Sequence, residues 1–154
     1  MNYRFSLRTL ALSLSLALAA MPVVWAADTE SSPGKAAASA DYAAGKQAVE
    51  QKLWLQAAES FRRATLQDPK NADAWNMLGY THRMLGHMEE SSKAYLVVLT
   101  INPDHLGALE YQGELFLQTG KPDLAKANLA KLQGLCGTCE QFQDLQKAIT
   151  AAGA

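Results

Sequence analysis

Two cysteines, three histidines and one pair of adjacent glutamates are where this 154-residue chain could hold chemistry beyond packing. Cys136-Gly137-Thr138-Cys139 could form a disulfide, exchange thiols or hold a soft ion such as Cu(I). No histidine or methionine stands beside it in the sequence, so it is a thin copper site. His82 shares a helical face with Trp75 and Leu78 and reads as a packed, hydrogen-bonded ring. His87 and His105 fall in turns, with no carboxylate at helical spacing. Glu89 and Glu90 open a helix, where negative charge suits the dipole. Nucleophile elbow, phosphate-cradling glycine loop and zinc-protease helix are all missing. The expectation is a chain that is not an enzyme, with no cofactor and no metal site.

The elements that would position these residues begin after an export segment. Arg4 and Arg8 precede an almost unbroken apolar run, Leu10 to Val24, too short for the roughly 20 residues of a spanning helix. Val24-Trp25-Ala26 then offers small residues at the positions a signal peptidase reads. Residues 1–26 read as a signal peptide cut after Ala26, which makes the product periplasmic or secreted, without membrane insertion. Residues 27–38 are Ala, Ser, Gly and Pro with a few charges, and read as a flexible lead-in. The remainder, 39–154, is one domain. With 14 Lys+Arg against 15 Asp+Glu, the chain lacks the basic stripe that nucleic acid or an acidic membrane surface requires.

That domain repeats itself. Gly45, Gly79 and Gly113 share one spacing with Ala57, Ser91 and Ala125, with Phe61, Tyr95 and Leu129, and with the pair Pro69 and Pro103. A fixed period of about 34 residues means one helical hairpin stacked three times, over about 38–71, 72–105 and 106–139. Small residues at Gly79 and Ser91 let the two helices of a hairpin approach, while Trp75, Leu78 and Tyr95 fill the space around the crossing. Gly86 and Gly120 suit the left-handed end of a first helix. Asn71 and Asp104 are expected N-caps, and Pro122 suits a first helical turn.

The order Trp75-x-x-Leu78-Gly79, then Ser91, Tyr95, Val98 and Pro103, resembles the tetratricopeptide repeat. The second repeat matches best. In the first, Asp41 and Ala44 replace the expected Trp and Leu. The third carries Gln112 at the Leu position and Gly137 where proline belongs. The resemblance implies an all-α, right-handed superhelical solenoid whose first helices line a concave groove. Carried over by position, that groove would present Tyr42, Lys46 and Glu50 from the first repeat. Asp73, Asn76, Tyr80, Arg83 and Met84 follow from the second, and Glu110, Glu114 and Leu117 from the third. Such a face suits a protein or peptide partner. The lysine, asparagine and arginine set with which chaperone-binding members grip a terminal carboxylate is absent, since Met77 and Tyr111 stand at polar positions.

After the third repeat, Phe142, Leu145 and Ile149 fall on one face of a capping helix over about 139–151. Leu135 to Phe142 also resembles an ending found on some exported bacterial repeat proteins. The expected function is an exported interaction adaptor. Alternatives are a thiol-redox or Cu(I)-handling accessory acting through Cys136 and Cys139, or a structural subunit of a larger envelope complex. The two cysteines flank the turn between the third repeat and the cap. A four-residue turn keeps its ends within about 7 Å, which permits a disulfide, and export favours one. The processing reading has a direct check: mass spectrometry of the native product should find Ala27 at its N-terminus. A membrane-held species that still carries Met1 would overturn it.

Overall fold

The computed structural model describes residues 33–154, so the signal segment, its cleavage site and the start of the lead-in lie outside the described residues. Seven helices and no strand occupy the described residues: α1 (Pro33–Glu50), α2 (Trp54–Gln67), α3 (Ala72–Met84), α4 (Met88–Ile101), α5 (Leu106–Gln118), α6 (Pro122–Cys136) and α7 (Glu140–Ala151). None is long and apolar enough to cross a membrane. Helix α1 begins inside the stretch expected to be a lead-in. Its alanines carry no hydrophobic period yet have the highest helix propensity, and Ala38 is already buried.

Consecutive helices pack as antiparallel pairs, and the hairpins stack into an all-α repeat solenoid. Helix α5 also packs on α3 and α7, whereas α2, α4 and α6 make no comparable contact with one another. Among the first helices, α5 is thus the one that meets both α3 and α7.

Each crossing is a ring or branched side chain pressed on a glycine. A Cβ at Gly45 would sit 2.6 Å from the Phe61 ring of α2, and one at Gly79 would sit 2.7 Å from the Tyr95 ring of α4. The buried Ser91 Oγ donates to the Gly79 carbonyl at 2.8 Å, which fixes the second crossing. The third crossing departs from the repeat. The equivalent residue Leu129 is only half-buried, and the notch at Gly113 is filled by Leu145 of α7, 2.6 Å from a Cβ there. A leucine at 129 is shorter than the rings at 61 and 95, and the cap takes the vacated space. Phe142, Leu145 and Ile149 thereby close a cluster with Leu109, Ala125 and Leu132.

The turns follow from backbone hydrogen bonding. Gly86 (φ 79°) and Gly120 (φ 71°) end α3 and α5 in the left-handed region. His87 N–H then reaches the His82 carbonyl at 2.9 Å and Lys121 N–H the Phe116 carbonyl at 2.8 Å. Asn71 caps α3 by accepting from Ala74 N–H at 3.0 Å. The third repeat corrects the expected Asp104 cap. His105, in phase with Asn71, accepts from Ala108 N–H through Nδ1 at 3.1 Å, while its Nε2 lies 3.0 Å from Asp73 Oδ1. Asp104 instead meets Lys131 Nζ at 3.1 Å.

These notches give opposite signs for one substitution. Gly79→Ala gains helix propensity but drives a buried ring aside, and overpacking of about 1–3 kcal/mol should leave it destabilised. Gly134→Ala, in α6 with nothing within 4 Å, should stabilise by about 0.5–1 kcal/mol. Chemical denaturation of both variants checks the pair.

Candidate partner-binding groove

The inner face of α3 carries Asn76, Tyr80 and Arg83 at helical spacing, and α5 carries Glu110, Glu114 and Leu117 in the same register. Adjacent first helices bring these rows side by side. Tyr80 packs against Tyr111 with ring centroids 5.0 Å apart, and Trp54 meets Tyr80 edge-on at 6.1 Å. The Arg83 guanidinium lies 5.6 Å from the Tyr80 ring centre and 5.9 Å from that of Tyr111. Its NH2 group is 2.5 Å from Glu114 Oε2. A tyrosine pair, a cation over it and a carboxylate against the cation thus make one unit spanning two repeats.

Burial divides the expected groove residues. Asn76, Arg83 and Glu110 are only 6%, 8% and 8% exposed, so they present little surface. Tyr80, Glu114 and Leu117 are half-buried, and Asp73 and Met84 are exposed. In the first repeat Lys46 and Glu50 face solvent, whereas Tyr42 leans edge-on against Phe61 at 5.6 Å. Burial, with Asp73 nearby, raises its phenol pKa. Arg83, Glu114, Leu117 and Gln118 line an open hollow of about 290 Å³ with Ala148 of α7 and Ala152 just beyond it. Trp54, Tyr111 and the α7 residues were not among the expected groove positions. Trp54 starts a second helix, and Tyr111 falls one residue beyond an inner-face position. An aromatic at 80 with another at 111 was the available signal.

Burial also sets the electrostatics. It pushes the Glu110 carboxyl up to about 8, reinforced by Glu114, Asp144 and Glu140 and opposed by Arg83. It pushes Tyr111 up to about 12, with Glu110, Tyr80 and Glu114 adding to the effect. His82 is packed as expected, but its buried Nδ1 has no hydrogen-bond partner, which corrects the expectation of a bonded ring. Its pKa is lowered by burial and by His87, whose ring lies 5.7 Å away. Cys136 ends α6 and Cys139 caps α7; their sulfurs stand at disulfide distance, with Cα atoms 5.6 Å apart. Among the described residues no three His, Cys, Asp or Glu side chains gather where they could hold a metal.

Residues 42–105 match the model of the tetratricopeptide repeat family. Those bounds cover nearly all of the first two repeats and stop where the divergent third begins. Solved structures extend the likeness to the whole solenoid. An Arabidopsis OM64 tetratricopeptide repeat domain superposes with a TM-score of 0.71 at 14% identity, covering 77% of this chain and 98% of that one. The TPR2B domain of yeast Sti1, in a complex with pHsp70, gives 0.70 at 12% identity over 77% and 97% of the two chains. The Yersinia enterocolitica type III secretion chaperone SycD, in complex with a peptide of the translocator YopD, gives 0.65 at 16% over 74% and 87%. The fold is that of tetratricopeptide repeat domains. No curated protein matches the chain in sequence.

Glu110 gives a pH signature with a defined sign. Its folded pKa exceeds its unfolded one, so the folded chain keeps a proton that the unfolded chain has released. The stabilising preference for the protonated folded form is complete below the unfolded value and is lost as pH rises towards about 8. Stability from this group should therefore fall between about pH 5 and pH 9, and Glu110→Gln should flatten the decline. Urea denaturation at both ends of that range checks it.

Proposed function

We propose that this chain is an exported protein-interaction module that takes a peptide or protein segment along the inner face of its repeats. The observation that carries the reading is the aromatic unit of Trp54, Tyr80 and Tyr111 with Arg83 locked over it. Two rigid tyrosines and a tryptophan offer contact area at low entropic cost, and such groups concentrate binding energy in interfaces. The Sti1 domain in its pHsp70 complex and SycD with its YopD peptide support a ligand on a fold of this kind. Export is supported by Arg4, Arg8, the apolar run and Val24-Trp25-Ala26, and an oxidising compartment suits the paired cysteines. In this reading Cys136 and Cys139 are a staple that docks α7, and the chain can work within a larger envelope complex.

Arg83 is too deeply paired to be a clean probe, because its removal would strand Glu114 beside a buried site. Tyr80 is the better choice. Crosslinked pull-down from intact cells should show Tyr80→Ala reducing partner capture by about tenfold or more, with helicity unchanged. The Glu59→Ala, Arg62→Ala double variant removes an exposed ion pair of α2 and should capture normally. Capture that survives at Tyr80 but is lost at Glu59 and Arg62 would move the interface to the outer helices.

A further inference from the structure

The turn from a first to a second helix is not the same in the three repeats. Leu53 stands in phase with His87 and Lys121, and Leu55 with Glu89 and Asp123. The later turns are thus polar, with acids in the first turn of α4 and α6 where the helix dipole favours them. Helix α2 has no acid there. Its N-cap, Leu53, is 45% exposed and has no side-chain acceptor for the free N–H groups, and Leu55 is 72% exposed. Lys52 takes a left-handed φ of 56° in phase with Gly86 and Gly120. Three local preferences are set aside at one turn, and departures of that kind gather where a surface is used.

The exposed leucines wall a hollow. Leu53, Trp54, Leu55, Gln56 and Leu85 line an open space of about 400 Å³, and none of the five is charged. Ligand pockets begin at about 300 Å³. A charged group entering this one would give up water without finding a partner, whereas an apolar group gains from burial. Trp54 belongs both to the hollow and to the groove, since its ring meets Tyr80 edge-on at 6.1 Å. Tyr80 in turn packs against Tyr111 at 5.0 Å, so one aromatic row runs from the groove to the hollow.

We infer that the hollow at the α1–α2 turn seats an apolar side chain, a leucine, methionine or phenylalanine, of the same peptide whose neighbouring residues cross Tyr80. The inference rests on the interaction reading above and names what the partner must present. Continuity fixes the occupant: a segment lying on Tyr80 reaches Trp54 without leaving the aromatic row. A peptide with only polar residues at that point leaves Leu53 and Leu55 in water and gains nothing from them. The hollow therefore sets specificity at one position of the ligand, while the Tyr80–Tyr111 pair supplies contact area along it.

The test uses the full chain and peptides selected on it from a random dodecapeptide phage library. The double variant Leu53→Lys, Leu55→Glu installs the residue types that stand in phase at Lys121 and Glu89. Both leucines are exposed and the new acid suits the start of α2, so the melting temperature should not fall. Selected peptides should share an apolar residue at a fixed spacing from the one coupled to Tyr80, and the double variant should bind them about tenfold or more weakly. Replacing that peptide residue with alanine should cost as much on the native chain and almost nothing on the double variant. Peptides weakened by Tyr80→Ala but held by the double variant as tightly as by the native chain would overturn this inference and leave the groove reading standing. Peptides indifferent to Tyr80→Ala would overturn both. Sedimentation velocity should find the free chain monomeric; a dimer that the double variant dissolves would give the hollow to a second copy and overturn the inference.

Discussion

Everything in this molecule depends on how close two helix backbones may come. The missing Cβ at Gly45 and Gly79 opens a notch on each first helix, and the Phe61 and Tyr95 rings of the following helices occupy it. A ring pressed on backbone fixes separation, rotation and register at once, because no other rotation of either helix offers the same opening. The Ser91 bond to the Gly79 carbonyl then adds direction to what packing has placed. With the hairpins so fixed, the rows Asn76-Tyr80-Arg83 and Glu110-Glu114-Leu117 lie alongside each other without further adjustment.

The groove shows what that rigidity permits. Arg83 is held 5.6 Å and 5.9 Å from two tyrosine rings and ion-paired with Glu114, while its buried Nε has no acceptor. Such a unit gives the floor a single arrangement, since breaking it would leave a buried charge alone. The same scaffold holds Glu110 at a cost set first by burial and then by Glu114 and Asp144, and the carboxyl is pushed up to about 8. A loop could relax away from that cost. Two packed helices cannot.

The repeat phase made the hairpins, the glycine notches, the left-handed turn glycines and the Asn71 cap legible, because each is a local consequence of residue type. Lys52, which takes φ 56° where the later repeats use glycine, shows that the turn is set by the hairpin and not by the residue alone. The Asp104 cap was misread, and the filler of the Gly113 notch was not foreseen. His105 stands in phase with Asn71 but caps through a ring and not an amide, whereas Leu145 arrives from a helix outside the repeats. The expected groove positions carried no information on depth. Asn76 and Arg83 lie on the same helix as exposed Asp73 and Met84, and only the neighbouring helix decides which of them is covered. Trp54 escaped because it belongs to a second helix and reaches Tyr80 across the turn.

The plug of Leu145 in the Gly113 notch bears on how such a protein can lengthen over evolutionary time. Duplicating residues 72–105 in place would insert a hairpin whose incoming and outgoing surfaces already exist, since α4 meets α5 through the contacts one repeat makes with the next. A hairpin added after residue 139 would meet no such surface. Its docking site is spent on Phe142, Leu145 and Ile149. Growth by recombination is therefore open in the interior and closed at the C-terminal end, and the same closure denies a neighbouring molecule the bare hydrophobic edge from which repeat arrays polymerise.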